Sequence, residues 1–315
     1  MYEAYFELRE KPFAMTPDPR FLFLSRTHEE ALAHLRYGLE QRVGFIAVTG
    51  EVGTGKTTLL RVLFNSLDEQ RFRLALIFNP CMTPSGLMQA INREFGLRSQ
   101  LRTIPALIDE LNGFLLDENR AGRTPVLVID EAQNLAPEVL EQVRLLSNLE
   151  TERDKLIQIV LVGQPELDEL LQRQELRQLA QRIVVRTRLQ PLDQEETAAY
   201  VESRLRVAGA SRQLFDSPAL AAVCRQTRGF ARLINILCDR ALLAAYAQGA
   251  SQVTPGEVRS ASREITVGEG RGRRLASWSR LDLRECLGGA RGYWLLGGFV
   301  AVEIVLLIWF MNTGA

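Results

Sequence analysis

The chain has 315 residues and balanced charge, 38 Lys+Arg against 38 Asp+Glu. Hydrophobic residues make up 46% and charged residues 24%, ordinary globular values that exclude global disorder, a collagen-like repeat and a disulfide mini-scaffold. Zero net charge also argues against a wholly basic nucleic-acid coat, although a sum hides a distribution.

Met1 to Phe13 alternates charge with aromatics, has no apolar core and is not a signal peptide. Residues 1–30 are rich in turns: Pro12, Pro17, Asp18 and Pro19 interleave with Phe6, Phe13, Phe21 and Phe23, whose expected role is anchoring by core packing, the alternative being a wall for a bound base. Thr27 is expected to begin an amphipathic helix with Glu30 as its capping-box partner and Ala31, Leu32, Leu35 and Leu39 as its apolar face. His28 and His34 lie on or beside this helix and read as surface residues, since no Cys cluster accompanies them, the alternative being that one of them approaches a bound base. The four Cys (Cys81, Cys224, Cys238, Cys286) form no CxxC pair, which fits a reducing compartment and no His/Cys metal site.

The pattern then alternates. Apolar runs at 45–48, 74–78, 126–129, 157–162 and 183–189 are separated by helical stretches at 57–67, 85–95, 103–119 and 137–149. Short, near-continuous apolar runs between helices predict a doubly wound α/β domain over residues 1–190, a five-stranded parallel sheet with helices on both faces. From Pro191 to 266 the strand-like runs stop. Asp193 with Glu196, Ser217-Pro218, Ala231 to Ala247, and Thr254-Pro255-Gly256-Glu257 mark the helices of a small all-helical lid domain.

Residues 267–292 read as a basic linker, with Gly268, Gly270, Gly272, Gly288 and Gly289 and six Arg against three acids between 268 and 291. Residues 293–311 carry a single charge, Glu303, with Tyr293, Trp294 and Trp309 near the ends. That length and those interfacial aromatics predict a transmembrane helix, the alternative being a buried C-terminal helix. The Arg-rich flank puts residues 1–291 on the cytoplasmic side, ahead of a tail, 312–315, without side-chain charge. A charge at mid-span costs about 2.5–3.5 kcal/mol. Glu303 is therefore protonated, turned to a partner helix, or a single acid tolerated in a long apolar span.

Gly50-Glu51-Val52-Gly53-Thr54-Gly55-Lys56-Thr57 matches GxxxxGK[ST], follows an apolar strand and opens a helix. Glycines let backbone N–H groups curl around phosphate oxygens, and the helix N-terminus adds partial positive charge. Lys56, one of only three lysines, is placed for the β- and γ-phosphates, and the Thr57 hydroxyl, followed by Thr58, for Mg²⁺. Asp130 and Glu131 end the apolar run 126–129. Asp130 is expected to hold the metal and Glu131 to polarise the attacking water; the plain alternative is a solvated acidic turn. Gln164, after the run 157–162, can bridge the γ-phosphate and the water, or simply form a turn. Arg177 or Arg182 can serve as an arginine finger in a neighbouring copy, or be a solvated helix Arg. Arg232, at the start of a lid helix, can fold back over the γ-phosphate and couple nucleotide state to domain angle, or be a surface Arg.

The order P-loop, acidic second motif, polar sensor, arginines before strand five, and helical domain with Gly229-Phe230-Ala231-Arg232 resembles an AAA+ ATPase. Tyr5-Phe6 to Pro12-Phe13, Thr16-Pro17-Asp18, Gly44-Phe45, Asp130-Glu131-Ala132-Gln133-Asn134-Leu135 and Val162-Gly163-Gln164-Pro165-Glu166-Leu167 narrow the resemblance to the ExeA/GspA-like secretion ATPases. That family implies ATP and Mg²⁺ as ligands and hydrolysis of ATP. It also implies self-assembly, one inner-membrane span, and partners in envelope secretion, pilus or export assembly. Secretion members often continue into a periplasmic peptidoglycan-binding domain, which is not expected after residues 312–315. A similar second motif occurs in DNA-binding accessory ATPases of transposition. A nucleic-acid partner is not the expectation here, and that class and a nucleotide-gated scaffold are the alternatives.

Overall fold

The computed structural model describes residues 1–15, 18–78, 82–97, 102–151 and 154–276. A short helix, α1 (Tyr2–Tyr5), leads through an irregular stretch into α2 (Arg26–Glu40). There follow β1 (Phe45–Gly50), α3 (Lys56–Ser66), β2 (Phe72–Ile77), α4 (Pro84–Glu94), α5 (Ile104–Arg120), β3 (Thr124–Ile129) and α6 (Pro137–Leu146). Next come β4 (Gln158–Gly163), α7 (Glu166–Leu171), α8 (Arg177–Arg182) and β5 (Ile183–Leu189). Four helices end the described chain: α9 (Gln194–Val207), α10 (Ser217–Thr227), α11 (Ala231–Ala247) and α12 (Pro255–Ala276).

The five strands form one parallel sheet in the order β2-β3-β4-β1-β5. Successive side chains on a strand point to opposite faces, and here both faces are covered. Phe45, Ala47, Leu127, Ile129, Ile159 and Leu161 pack against α4, α5 and α6 on one side. Ile46, Val48, Val126, Val128, Val160 and Val162 pack against α2 and α3 on the other. Double coverage is why the central strands read as unbroken apolar runs. The edge strand β5 alternates instead, with Val184 exposed and Ile183 and Leu189 buried.

The helical region after β5 is built from strong local signals. Asp193 and Glu196 form a complete capping box on α9. Asp216 caps α10, and the Glu257 carboxylate accepts from the Thr254 backbone N–H and hydroxyl at the start of α12. The bounds of α12 differ from expectation. It continues through Gly268, Gly270 and Gly272 to Ala276, into the stretch read as linker. Glycine lowers helix stability by only about 1 kcal/mol each, so the composition does not forbid this.

Residues 1–15 and 18–23 pack on the lid helices rather than on the sheet. Tyr2 donates to Asp239 at 2.5 Å, the Arg9 N–H to the Ala208 carbonyl at 2.8 Å, and Arg204 reaches the Pro12 carbonyl at 2.6 Å. Phe13 meets Phe215 and Phe23 meets Tyr200 edge-on. The start of α2 also differs from expectation. It begins at Arg26, one residue before Thr27, and Glu30 does not act as its capping partner. The free Arg26 N–H is taken instead by Glu196 of α9 at 3.0 Å, so a lid residue does the capping. Among the described residues no helix is long and apolar enough to cross a membrane. The span expected at 293–311, Glu303 within it and residues 277–292 of the linker lie outside the described residues.

Candidate active site

Neighbouring parallel strands deliver the expected site residues to one edge of the sheet. Thr49 of β1 stands opposite Gly163 of β4, and Ile129 of β3 opposite Leu161 of β4. The loop after β1, Gln164 after β4 and the pair Asp130–Glu131 after β3 therefore emerge side by side, where open α/β sheets bind ligands.

The loop closes on itself. The Thr54 hydroxyl donates to the Glu51 carbonyl at 2.8 Å, and Lys56 Nζ donates to the carbonyls of Gly50 at 2.7 Å and Glu51 at 3.1 Å. Lys56 is buried. Burial pushes its pKa below the ordinary lysine value, against the opposing pull of Glu131, Asp130, Glu51 and Glu166. Gly55 sits at φ +93°, a left-handed conformation suited to glycine, and begins α3.

Glu131 is also left-handed, at φ 54°. A non-glycine residue held there carries about 1–3 kcal/mol of strain, and such residues cluster at working sites. Its backbone N–H donates to the Asp130 carboxylate at 2.9 Å. Its own carboxylate accepts from the amides of Gln133 at 2.6 Å and Gln164 at 3.1 Å. Gln133 closes the triangle by accepting the Gln164 backbone N–H at 3.1 Å. Burial acts to raise the Glu131 pKa, but the two amides and Lys56 outweigh it, so the carboxyl stays below its ordinary value. Asp130 is buried, and burial raises it.

A cavity of about 1010 Å³ joins these parts. Gly53, Lys56, Thr57, Thr58, Glu131, Gln164 and Arg232 line it. So do Arg61, Val62 and Asn65 along α3, Met15, Pro19 and Leu22 of the N-terminal segment, and Tyr200, Arg204 and Asn235 of the lid. The glycine-rich loop, an acidic side chain and apolar surface thus share one space. Arg232 is brought to the loop directly, since a Cβ built on Gly53 falls 3.0 Å from Arg232 Cβ. Among the described residues no cluster of three or more His, Cys, Asp or Glu can hold a metal alone. The Thr57 hydroxyl and the Asp130 carboxylate are hard oxygen donors, which suits Mg²⁺ sharing its coordination with phosphate oxygens.

The two arginines of α8 part ways. Arg182 donates to Ser147 Oγ, to Asn148 Oδ1 at 2.7 Å and to the Arg144 carbonyl at 3.3 Å, capping the end of α6 within its own chain. Arg177 is exposed: its backbone N–H donates to the Gln174 carbonyl, and its side chain makes no hydrogen bond or ion pair among the described residues. His34 is exposed as expected. His28 is not: it is buried beneath the loop, because Ser25 and the Thr54 carbonyl satisfy both ring nitrogens.

Sequence reasoning gave no role to Gln133, Tyr200, Arg204 or Asn235. Tyr200 and Arg204 stand four apart on α9 and share a face, and Asn235 follows Arg232 by three on α11. That spacing was the one signal available. Tyr200 donates to Asn235 Oδ1 at 2.9 Å and accepts from Arg204 at 3.1 Å.

Sheet order, P-loop, acidic pair and helical lid together define a P-loop nucleotide-binding protein of the AAA+ class. A family model described as an AAA domain matches residues 39–171. General secretion pathway protein A of Aeromonas hydrophila is 46% identical over 267 residues, 84% of this chain and 49% of that protein. The chain belongs to the family of AAA+ ATPases related to general secretion pathway protein A. It spans about half the length of that curated relative. Among solved structures, Cdc6p from Pyrobaculum aerophilum matches 81% of this chain and 70% of its own, with TM-score 0.62 and 22% identity. The RuvB Holliday junction branch migration motor of Thermotoga maritima matches 76% and 69%, with TM-score 0.51 and 19% identity. At those identities the likeness is one of fold.

Proposed function

We propose that the chain is a Mg²⁺-dependent ATPase that works as an oligomer on an envelope secretion, pilus or export assembly, anchored in the inner membrane by residues 293–311. The observation that carries the reading is the convergence on one cavity of a phosphate loop and a polarised carboxylate, Glu131. Backbone N–H groups of residues 53–57 and Lys56 hold the β- and γ-phosphates, and Met15, Leu22 and Val62 offer apolar surface to the base. Thr57 and Asp130 would hold the metal, which would supply charge to neutralise the phosphate oxygens.

Glu131 accepts the proton of the attacking water, and Gln164 orients water and γ-phosphate between them. Arg232 reads the γ-phosphate from the lid, so hydrolysis alters what the lid rests on. Arg177, exposed on α8, is the better placed arginine for a neighbouring copy's site. The resemblance to general secretion pathway protein A supports the envelope role, and the single charge and terminal aromatics of 293–311 support the anchor. Equilibrium ATP binding tests the reading: Lys56→Ala should weaken affinity by about 10- to 100-fold, the scale of a lost charge-assisted hydrogen bond. Unchanged affinity would remove the loop from nucleotide binding.

A further inference from the structure

Underneath the phosphate loop lies a histidine that the hydrolysis scheme does not use. His28 is 4% exposed, in the first turn of α2. Its Nε2 is 2.8 Å from the carbonyl oxygen of Thr54 and its Nδ1 is 2.6 Å from Ser25 Oγ. A carbonyl can only accept, so Nε2 carries the hydrogen and donates. In the neutral ring Nδ1 is then bare and accepts the Ser25 hydroxyl. Ser25 Oγ in turn lies 3.1 Å from Thr27 Oγ1. The result is a directed chain of hydrogen bonds ending on the loop, in which each bond polarises the next. Burial lowers the His28 pKa and favours the neutral ring this chain requires.

The peptide that His28 holds is the one the phosphates need. The described chain contains no cis peptide, so the Thr54 carbonyl and the Gly55 N–H point in opposite directions. Drawing the carbonyl down to His28 turns the Gly55 N–H away from it. That N–H makes no hydrogen bond within the described chain. Gly55 lines the large cavity with Gly53, Lys56 and Thr57, whereas His28 does not. The fit is tight as well: a Cβ at Gly55 would lie 2.6 Å from His28 Nε2.

We propose that His28 is a positioning residue of the phosphate loop. Its Nε2–H holds the Thr54 carbonyl and thereby aims the Gly55 N–H at the phosphate oxygens of the nucleotide. This rests on the ATPase reading above and names a residue of that same site.

The test is equilibrium binding of a fluorescent ATP by the full-length chain, with nucleotide-free melting recorded for each variant and KM and kcat measured alongside. Gln carries an amide nitrogen near the position of Nε2 and Asn near that of Nδ1, so the pair isolates the donor. His28→Gln should bind within about threefold of the parent, and His28→Asn and His28→Leu about tenfold more weakly, the scale of one buried hydrogen bond. KM should rise while kcat stays within about twofold. Parent affinity in a folded His28→Leu or His28→Asn, or a His28→Gln as weak as His28→Leu, overturns the proposal. Should His28→Leu fail to fold, the Gln and Asn arms decide, and Ser25→Ala, which only frees Nδ1, should weaken binding by a smaller factor than His28→Asn. ATP binding by the parent, weakened by about 10- to 100-fold in Lys56→Ala, separates this from the broader reading: a parent that does not bind contradicts both, whereas a binding parent with an indifferent His28 contradicts only this one.

Discussion

Glu131 is held in a strained backbone with two amides on its carboxylate, and the consequence is a testable pH dependence. A carboxylate stabilised in its charged form keeps accepting protons from water at lower pH than an ordinary glutamate. Removing an amide raises its pKa. In Gln133→Leu the acidic limb of the kcat–pH profile should therefore move to higher pH, with ATP affinity unchanged; an unmoved limb would leave Gln133 without a role in tuning Glu131. Gly55→Ala meets both a left-handed φ and a contact with His28. A loss of about 1–3 kcal/mol in nucleotide-free stability is expected, read as a lowered Tm in thermal melts. The loop and the acidic pair were legible in the sequence because their chemistry demands particular residues in a row. Gln133 and His28 were not. Their roles depend on side-chain direction after a tight turn, and on a contact across the stretch from residue 28 to residue 54.

Elements follow the same division. The central strands announce themselves because burial on both faces demands apolar residues at most positions, with Thr49, Thr124 and Gln158 as buried polar exceptions. Capping boxes and N1 prolines announce the lid helices. The N-terminal segment announces only its aromatics, not the helices it meets far along the chain. Arg204 is the clearest joint. Buried in α9, it donates to Pro12 and Ala14 carbonyls and stacks 4.8 Å over the Phe21 ring. Arg204→Ala leaves those carbonyls unpaired and should destabilise the chain by about 2–4 kcal/mol in denaturant unfolding. Asp193→Ala removes only one cap and should cost about 1 kcal/mol. Equal losses would mean that Arg204 does not join the segment to the lid. Gly229 marks a second joint, since a Cβ there would sit 1.9 Å from the Leu192 carbonyl oxygen. Backbone thus meets backbone just before the helix that carries Arg232.

Across the molecule, zero net charge conceals an uneven distribution. Six arginines between 268 and 291 precede a stretch with a single acid, while the lysine that matters most to the proposed chemistry sits in the phosphate loop. The full chain should float with lipid vesicles at alkaline pH, and a chain ending at Ala276 should not; co-flotation of both would contradict anchoring through 293–311. The central claim is that one cavity binds ATP and that Glu131 drives its hydrolysis. Steady-state Mg-ATP turnover by the full-length chain, compared with Glu131→Gln and paired with ATP affinity, tests it most directly. The expected result is undiminished binding with turnover lowered by about 10²- to 10⁴-fold, the usual share of a general base. Turnover in Glu131→Gln equal to that of the parent would contradict the account.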